Sequence, residues 1–72
     1  MAYPKVRISM RRLRLLPEVA KLGQVALILK VSPNTVRGWM DDGLRAVKNG
    51  ASWQIRQVDV ERYLQSTHRL VG

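Results

Sequence analysis

Residues 30–43 read Lys30-Val31-Ser32-Pro33-Asn34-Thr35-Val36-Arg37-Gly38-Trp39-Met40-Asp41-Asp42-Gly43, and the fold turns on how this stretch is read. Ser32 followed by Pro33 opens a helix. A serine hydroxyl accepts from a first-turn N–H, and proline at the first helical position has no N–H to leave unpaired. The helix then runs to Asp42, and Gly43 supplies the positive φ with which helices commonly end. Val36 and Met40 lie four apart and face inward, which turns Asn34, Arg37 and Asp41 outward. Trp39, three after Val36 and next to Met40, is expected in the core rather than stacked on a base.

Upstream, Val19, Leu22, Ala26 and Leu29 recur at three- and four-residue spacing. They predict an amphipathic helix opened by Pro17, with Gly23 either bending it or deferring its start to Gln24. Only Lys30 and Val31 separate this helix from Ser32. Two helices joined by so short a turn make a helix-turn-helix. Downstream, Asn49-Gly50 predicts a hairpin with a two-residue type I′ turn. That turn pairs Lys48 with Ala51, Val47 with Ser52, Ala46 with Trp53, Arg45 with Gln54 and Leu44 with Ile55. One face then carries Leu44, Ala46, Trp53 and Ile55, and the other Arg45, Ser52 and Gln54, with Val47 the exception. Residues 58–64 predict a third helix. Asp59 and Glu61 suit its early turns, and Val60, Tyr63 and Leu64 form its inward face.

The chain has 72 residues, 46% of them hydrophobic and 25% charged, which suits one small domain with a compact core. It divides into a basic N-terminal arm over 1–16, a folded body over 17–65 and a frayed tail over 66–72. Residues 5–10 alternate as Lys5-Val6-Arg7-Ile8-Ser9-Met10, the pattern of a half-buried strand, although Val6, Met10 and Leu13 equally share a helix face. Thirteen Lys and Arg against five Asp and Glu give a net charge of +8. Of this, +5 falls on residues 1–22, so a polyanionic partner is expected.

Other classes drop out. With no cysteine and a single histidine, His68, neither a cysteine or histidine metal cluster nor a Ser-His-Asp triad can be assembled. The expectation is a protein that is not an enzyme, with no metal and no cofactor. The longest apolar run, Val25 to Leu29, is far below the roughly 20 residues that span a bilayer. No small-residue cleavage site follows it. A cytoplasmic, nucleoid-associated chain without a targeting segment or membrane partner is expected.

Helix, tight turn, helix, Asn-Gly hairpin and short helix compose a mainly α fold with a small β-hairpin, a winged helix-turn-helix. The residues also resemble a family, the small excisionase-like proteins related to the DNA-binding domain of MerR-type regulators. The resemblance covers about residues 24–64. It runs through Gln24-Val25-Ala26, the Val31 to Met40 segment, Asp42-Gly43-Leu44, and Val58-Asp59-Val60-Glu61-Arg62-Tyr63-Leu64. It implies a second helix in the major groove of double-stranded DNA and a wing on the backbone or minor groove. The family includes phage recombination directionality factors and small transcription regulators.

Candidate contacts follow. On the recognition helix they are Ser32, Asn34, Thr35, Arg37 and Gly38. Arg37 leads, because arginine reads guanine bidentately. Ser32 is a cap before it is a reader, Thr35 serves either purpose, and Gly38 allows close approach either to DNA or between helices. Wing candidates are Lys48, Asn49, Ser52 and Arg56. Arm candidates are Arg7, Arg11, Arg12 and Arg14, whose alternative is a solvated basic surface. The expected function is sequence-specific DNA binding by an excisionase-type architectural factor or a small transcription regulator, acting in tandem copies or with an integrase or other recombinase. Two rivals are an adaptor gripping an acidic partner such as a phage packaging or polymerase subunit, and a membrane-surface peptide built on residues 5–22, against which the hairpin and cap signals argue.

Overall fold

A computed structural model of the chain describes residues 7–67 and 69–71. The elements run in chain order β1 (Ile8–Ser9), α1 (Met10–Arg14), β2 (Val19–Lys21), α2 (Leu22–Leu29), α3 (Pro33–Asp41), β3 (Val47–Asn49), β4 (Ser52–Arg56), α4 (Gln57–Ser66) and β5 (Leu70–Val71). Strands β2, β4 and β3 form one antiparallel sheet in that spatial order, and β1 pairs in parallel with β5. The core collects Leu22, Val25, Ala26 and Leu29 of α2, Val36 and Trp39 of α3, Ile55 of β4, and Val60, Tyr63 and Leu64 of α4. Helices backing a three-stranded sheet whose hairpin projects beside α3 make a winged helix-turn-helix.

The helix-turn-helix forms as its residues dictate. Lys30 adopts the left-handed conformation at φ 57°, which lets the Val31 N–H reach the Ala26 carbonyl at 3.0 Å and closes α2. A left-handed lysine costs about 1–2 kcal/mol relative to the right-handed helix, and the two-residue turn accepts that cost. Ser32 then caps α3: its Oγ accepts from the Thr35 N–H at 3.1 Å. Helix α4 presents Val60, Tyr63 and Leu64 inward, as their spacing requires.

Four features differ from the sequence reading. Pro17 does not open a helix. Val19–Lys21 is a strand that pairs Ala20 with Ile55, and α2 starts at Leu22, with Gly23 in its first turn rather than at a bend. Three residues are too few for a two-residue period to show against a helical one, and the free edge of β4 decided the matter. The hairpin register is shifted by two: Val47 pairs with Gln54, Lys48 with Trp53 and Asn49 with Ser52. Its central residues are Gly50 and Ala51. Of these only Gly50 takes a positive φ, 64°, the signature of a type II′ turn rather than type I′.

The third and fourth differences concern the termini. Lys5 and Val6 lie outside the described residues, but residues 8–16 are no arm. Ile8, Leu13 and Leu16 are buried in the core, and α1 packs on α2 and α4. Gln57 secures this segment, because its side-chain amide donates to the carbonyls of Leu13 at 3.1 Å and Leu16 at 2.9 Å. Nor do residues 66–67 and 69–71 fray. The Ile8 N–H donates to the Arg69 carbonyl at 2.7 Å and the Arg69 N–H to the Leu64 carbonyl at 2.9 Å. The Arg69 guanidinium donates to the Tyr63 hydroxyl at 3.0 Å, which in turn donates to the Asp42 carboxylate at 2.7 Å. Charge asymmetry and chain position cannot reveal pairing between the two ends of a chain.

Two outcomes follow. Deleting residues 1–16 removes three buried aliphatic side chains, each worth about 2–5 kcal/mol, so the truncated chain should lose its cooperative thermal transition. Burial first, then the hydrogen bond to Asp42, pushes the Tyr63 hydroxyl up from 10.0 to about 12, against the opposing charge of Arg69. The folded chain therefore holds this proton more tightly than the unfolded one. The stabilisation is complete below pH 10 and is lost as the pH rises towards about 12. Tyr63→Phe should cost about 1 kcal/mol near neutrality and flatten that alkaline loss, read by urea midpoints across the range.

Candidate nucleic-acid interface

The outward face of α3 is polar because the inward face is spent on Val36 and Trp39. Asn34 and Arg37, three apart, stand exposed on adjacent turns, and the Arg37 guanidinium donates to the Asn34 side-chain oxygen at 3.4 Å. That contact holds together two side chains of the types that can pair with base edges. Thr35 is half-buried and belongs to the cap, its hydroxyl 2.9 Å from Ser32 Oγ. Gly38 is buried. It therefore leaves the set of exposed contacts.

A groove runs between the start of α2, the start of α3 and the wing tip, and Lys21, Pro33, Arg37, Ser52 and Trp53 line it. Two cations face a wall formed by the wing. The first turn of α2 also lines the groove and has no side-chain cap, so its N-terminal dipole adds to the positive potential. Across the hairpin, Lys48 Nζ lies 5.6 Å from the centre of the Trp53 ring, which places a third cation at the tip. Lys48 and Asn49 are exposed. The groove therefore joins Arg37 with Ser52, and Lys48 stands beside them on the wing.

Other candidates stand elsewhere. Arg56 is the residue that leads into α4, five residues past Ala51. It marks the base of the wing, not its tip. Arg11 and Arg14 are exposed and Arg12 half-buried on α1, and Arg7 is exposed just before β1. Because α1 packs on α2 and α4, these arginines are held on the body instead of reaching out as an arm. The sequence reading missed Lys21 and Trp53 as groove residues. A helix opened by Pro17 hides Lys21 among helical residues, and the apolar hairpin face marks Trp53 as core or rim; it is half-buried.

Ser32→Ala should cost about 1 kcal/mol through loss of the cap, while Arg37→Ala should leave the denaturation midpoint within about 0.5 kcal/mol of the parent. Chemical denaturation of the two variants checks both.

Among the described residues no helix is long and apolar enough to cross a membrane. No curated protein and no solved structure matches the chain. Residues 21–68 match the family model described as a helix-turn-helix domain, a span that runs from the groove lysine through the cap, the wing and α4. That architecture points to DNA as the partner, and the chain belongs to the helix-turn-helix domain family.

Proposed function

We propose that the chain is a sequence-specific, non-enzymatic binder of double-stranded DNA that works without a cofactor in the cytoplasm, at the nucleoid. The observation that carries this reading is the groove that unites Lys21, Arg37 and the wing tip. With α3 in the major groove and the tip at the neighbouring minor groove, the phosphodiester strand that divides the two passes between them. Lys21 and the start of α2 then meet phosphate, and Asn34 and Arg37 meet base edges.

The role that suits such a module is an excisionase-type recombination directionality factor or a small transcription regulator. One module buries roughly 600–1,000 Å² on DNA, a short site. Specificity in a genome then comes from tandem copies or from a recombinase bound alongside. Gripping two adjacent grooves also favours a bent duplex, at a deformation cost on the order of 1–6 kcal/mol.

Arg37→Ala should weaken binding to a selected duplex by about 1–3 kcal/mol and relax preference at one base pair. Lys21→Gln should weaken all duplexes alike and lower the salt slope by about one unit. Titration of duplexes at several salt concentrations reads both. A full-length chain with no preference among duplex sequences and a flat salt response would overturn the reading.

A further inference from the structure

The base of the wing carries a second groove, which shares no lining residue with the groove of Lys21 and Arg37. Arg45, Arg56 and Arg62 converge on it with Val47, Val58 and Asp59. None of the three guanidinium groups has a hydrogen-bond or ion-pair partner among the described residues. Asp59 is the one carboxylate in the lining. Val47 and Val58 are 64% and 39% exposed, so apolar surface stands beside unpaired guanidinium groups.

We propose that this groove docks an acidic, aliphatic-bearing segment of a partner protein while α3 and the wing tip hold DNA. Position argues against phosphate as the occupant. Arg56 lies five residues past Ala51, about 17 Å from the turn at the strand rise of ~3.3 Å per residue. A minor groove is only about 7.5 Å deep, so a tip seated in it leaves Arg45, Arg56 and Arg62 outside. A second copy is a poor occupant as well, since each copy carries a net +8. Composition argues for a peptide. Arginine beside aliphatic surface is what protein interfaces use, and guanidinium pairs carboxylate bidentately. The proposal adds a partner to the DNA reading and does not depend on it, because the groove is available with or without DNA.

The test uses the full chain, a fluorescein-labelled peptide of repeated Glu-Glu-Leu, a polyglutamate peptide of equal length and a selected duplex. The Glu-Glu-Leu peptide should perturb the amide resonances of Arg45, Val47 and Val58. Arg45→Gln with Arg62→Gln should weaken the peptide by about tenfold or more and leave duplex affinity within about twofold. Both side chains are exposed, and an unchanged circular dichroism spectrum confirms that the double variant is folded.

Four results would overturn the proposal. The double variant could lose duplex affinity together with salt slope, which would make the groove a phosphate seat. Polyglutamate could bind as tightly as Glu-Glu-Leu, which would leave the valines without a role. The peptide shifts could fall on α3 or spread over the whole basic surface. Lastly, sedimentation could reveal a dimer that Val47→Lys dissolves, making a second copy the occupant. Absence of any sequence-preferring duplex binding would instead sink the DNA reading and leave the peptide result to stand by itself.

Discussion

Burial of Trp39 is the constraint on which the interface depends. Its ring lies 5.9 Å from that of Tyr63, tilted by 40°, and Val36 one turn earlier is buried with it. A side chain this large can seat in only one rotation of the helix, and that rotation turns Asn34 and Arg37 to solvent. The Trp39 carbonyl also accepts the Leu44 N–H at 2.8 Å, so the residue that orients α3 also sets where the chain departs toward the wing. The indole N–H has no acceptor among the described residues, which leaves packing to hold the ring in place. Helix aim and wing position thus share one anchor.

Around that anchor the two chain ends act as a brace. Arg69 and Tyr63 tie the C-terminal residues to Asp42 at the end of α3, and Gln57 ties the N-terminal segment to the start of α4. Neither contact lies on the exposed face of α3. Their effect is to stiffen the platform behind it, and exposed side chains keep their aim only as well as the platform under them keeps still. Nine of the thirteen Lys and Arg residues fall in three places. Lys21, Arg37 and Lys48 gather at the groove and wing tip, Arg45, Arg56 and Arg62 at the wing base, and Arg11, Arg12 and Arg14 on α1.

The hairpin shows how a sound pattern can carry a wrong register. A slip of two residues leaves each side chain on its own face, so the sorting of Leu44, Ala46, Trp53 and Ile55 from Arg45 and Gln54 survives either pairing. Only the turn distinguishes them. A type I′ turn needs positive φ at both central residues, and Asn49-Gly50 satisfies that need in sequence, but Gly50-Ala51 occupies the centre and spends a single glycine on the single positive φ. The shift puts Lys48 opposite Trp53, and this cross-strand pair is what places a cation over the indole.

The sequence by itself determined the helix-turn-helix. The Ser32-Pro33 opening, the inward Val36 and Trp39, the outward Asn34 and Arg37, the existence of the hairpin and the inward face of α4 all rest on interactions within a few residues of one another. Local capping, side-chain periodicity and turn chemistry are written in neighbouring letters, and they hold whatever the rest of the chain does. Tertiary structure alone decided that Val19–Lys21 is a strand, that residues 8–16 fold onto the body, that Leu70–Val71 pairs with Ile8–Ser9, and which arginines share a groove. Those outcomes depend on a partner 33 to 62 residues away. A segment of two or three residues has too little pattern of its own to choose a conformation, and takes the one its distant partner can pair with and bury.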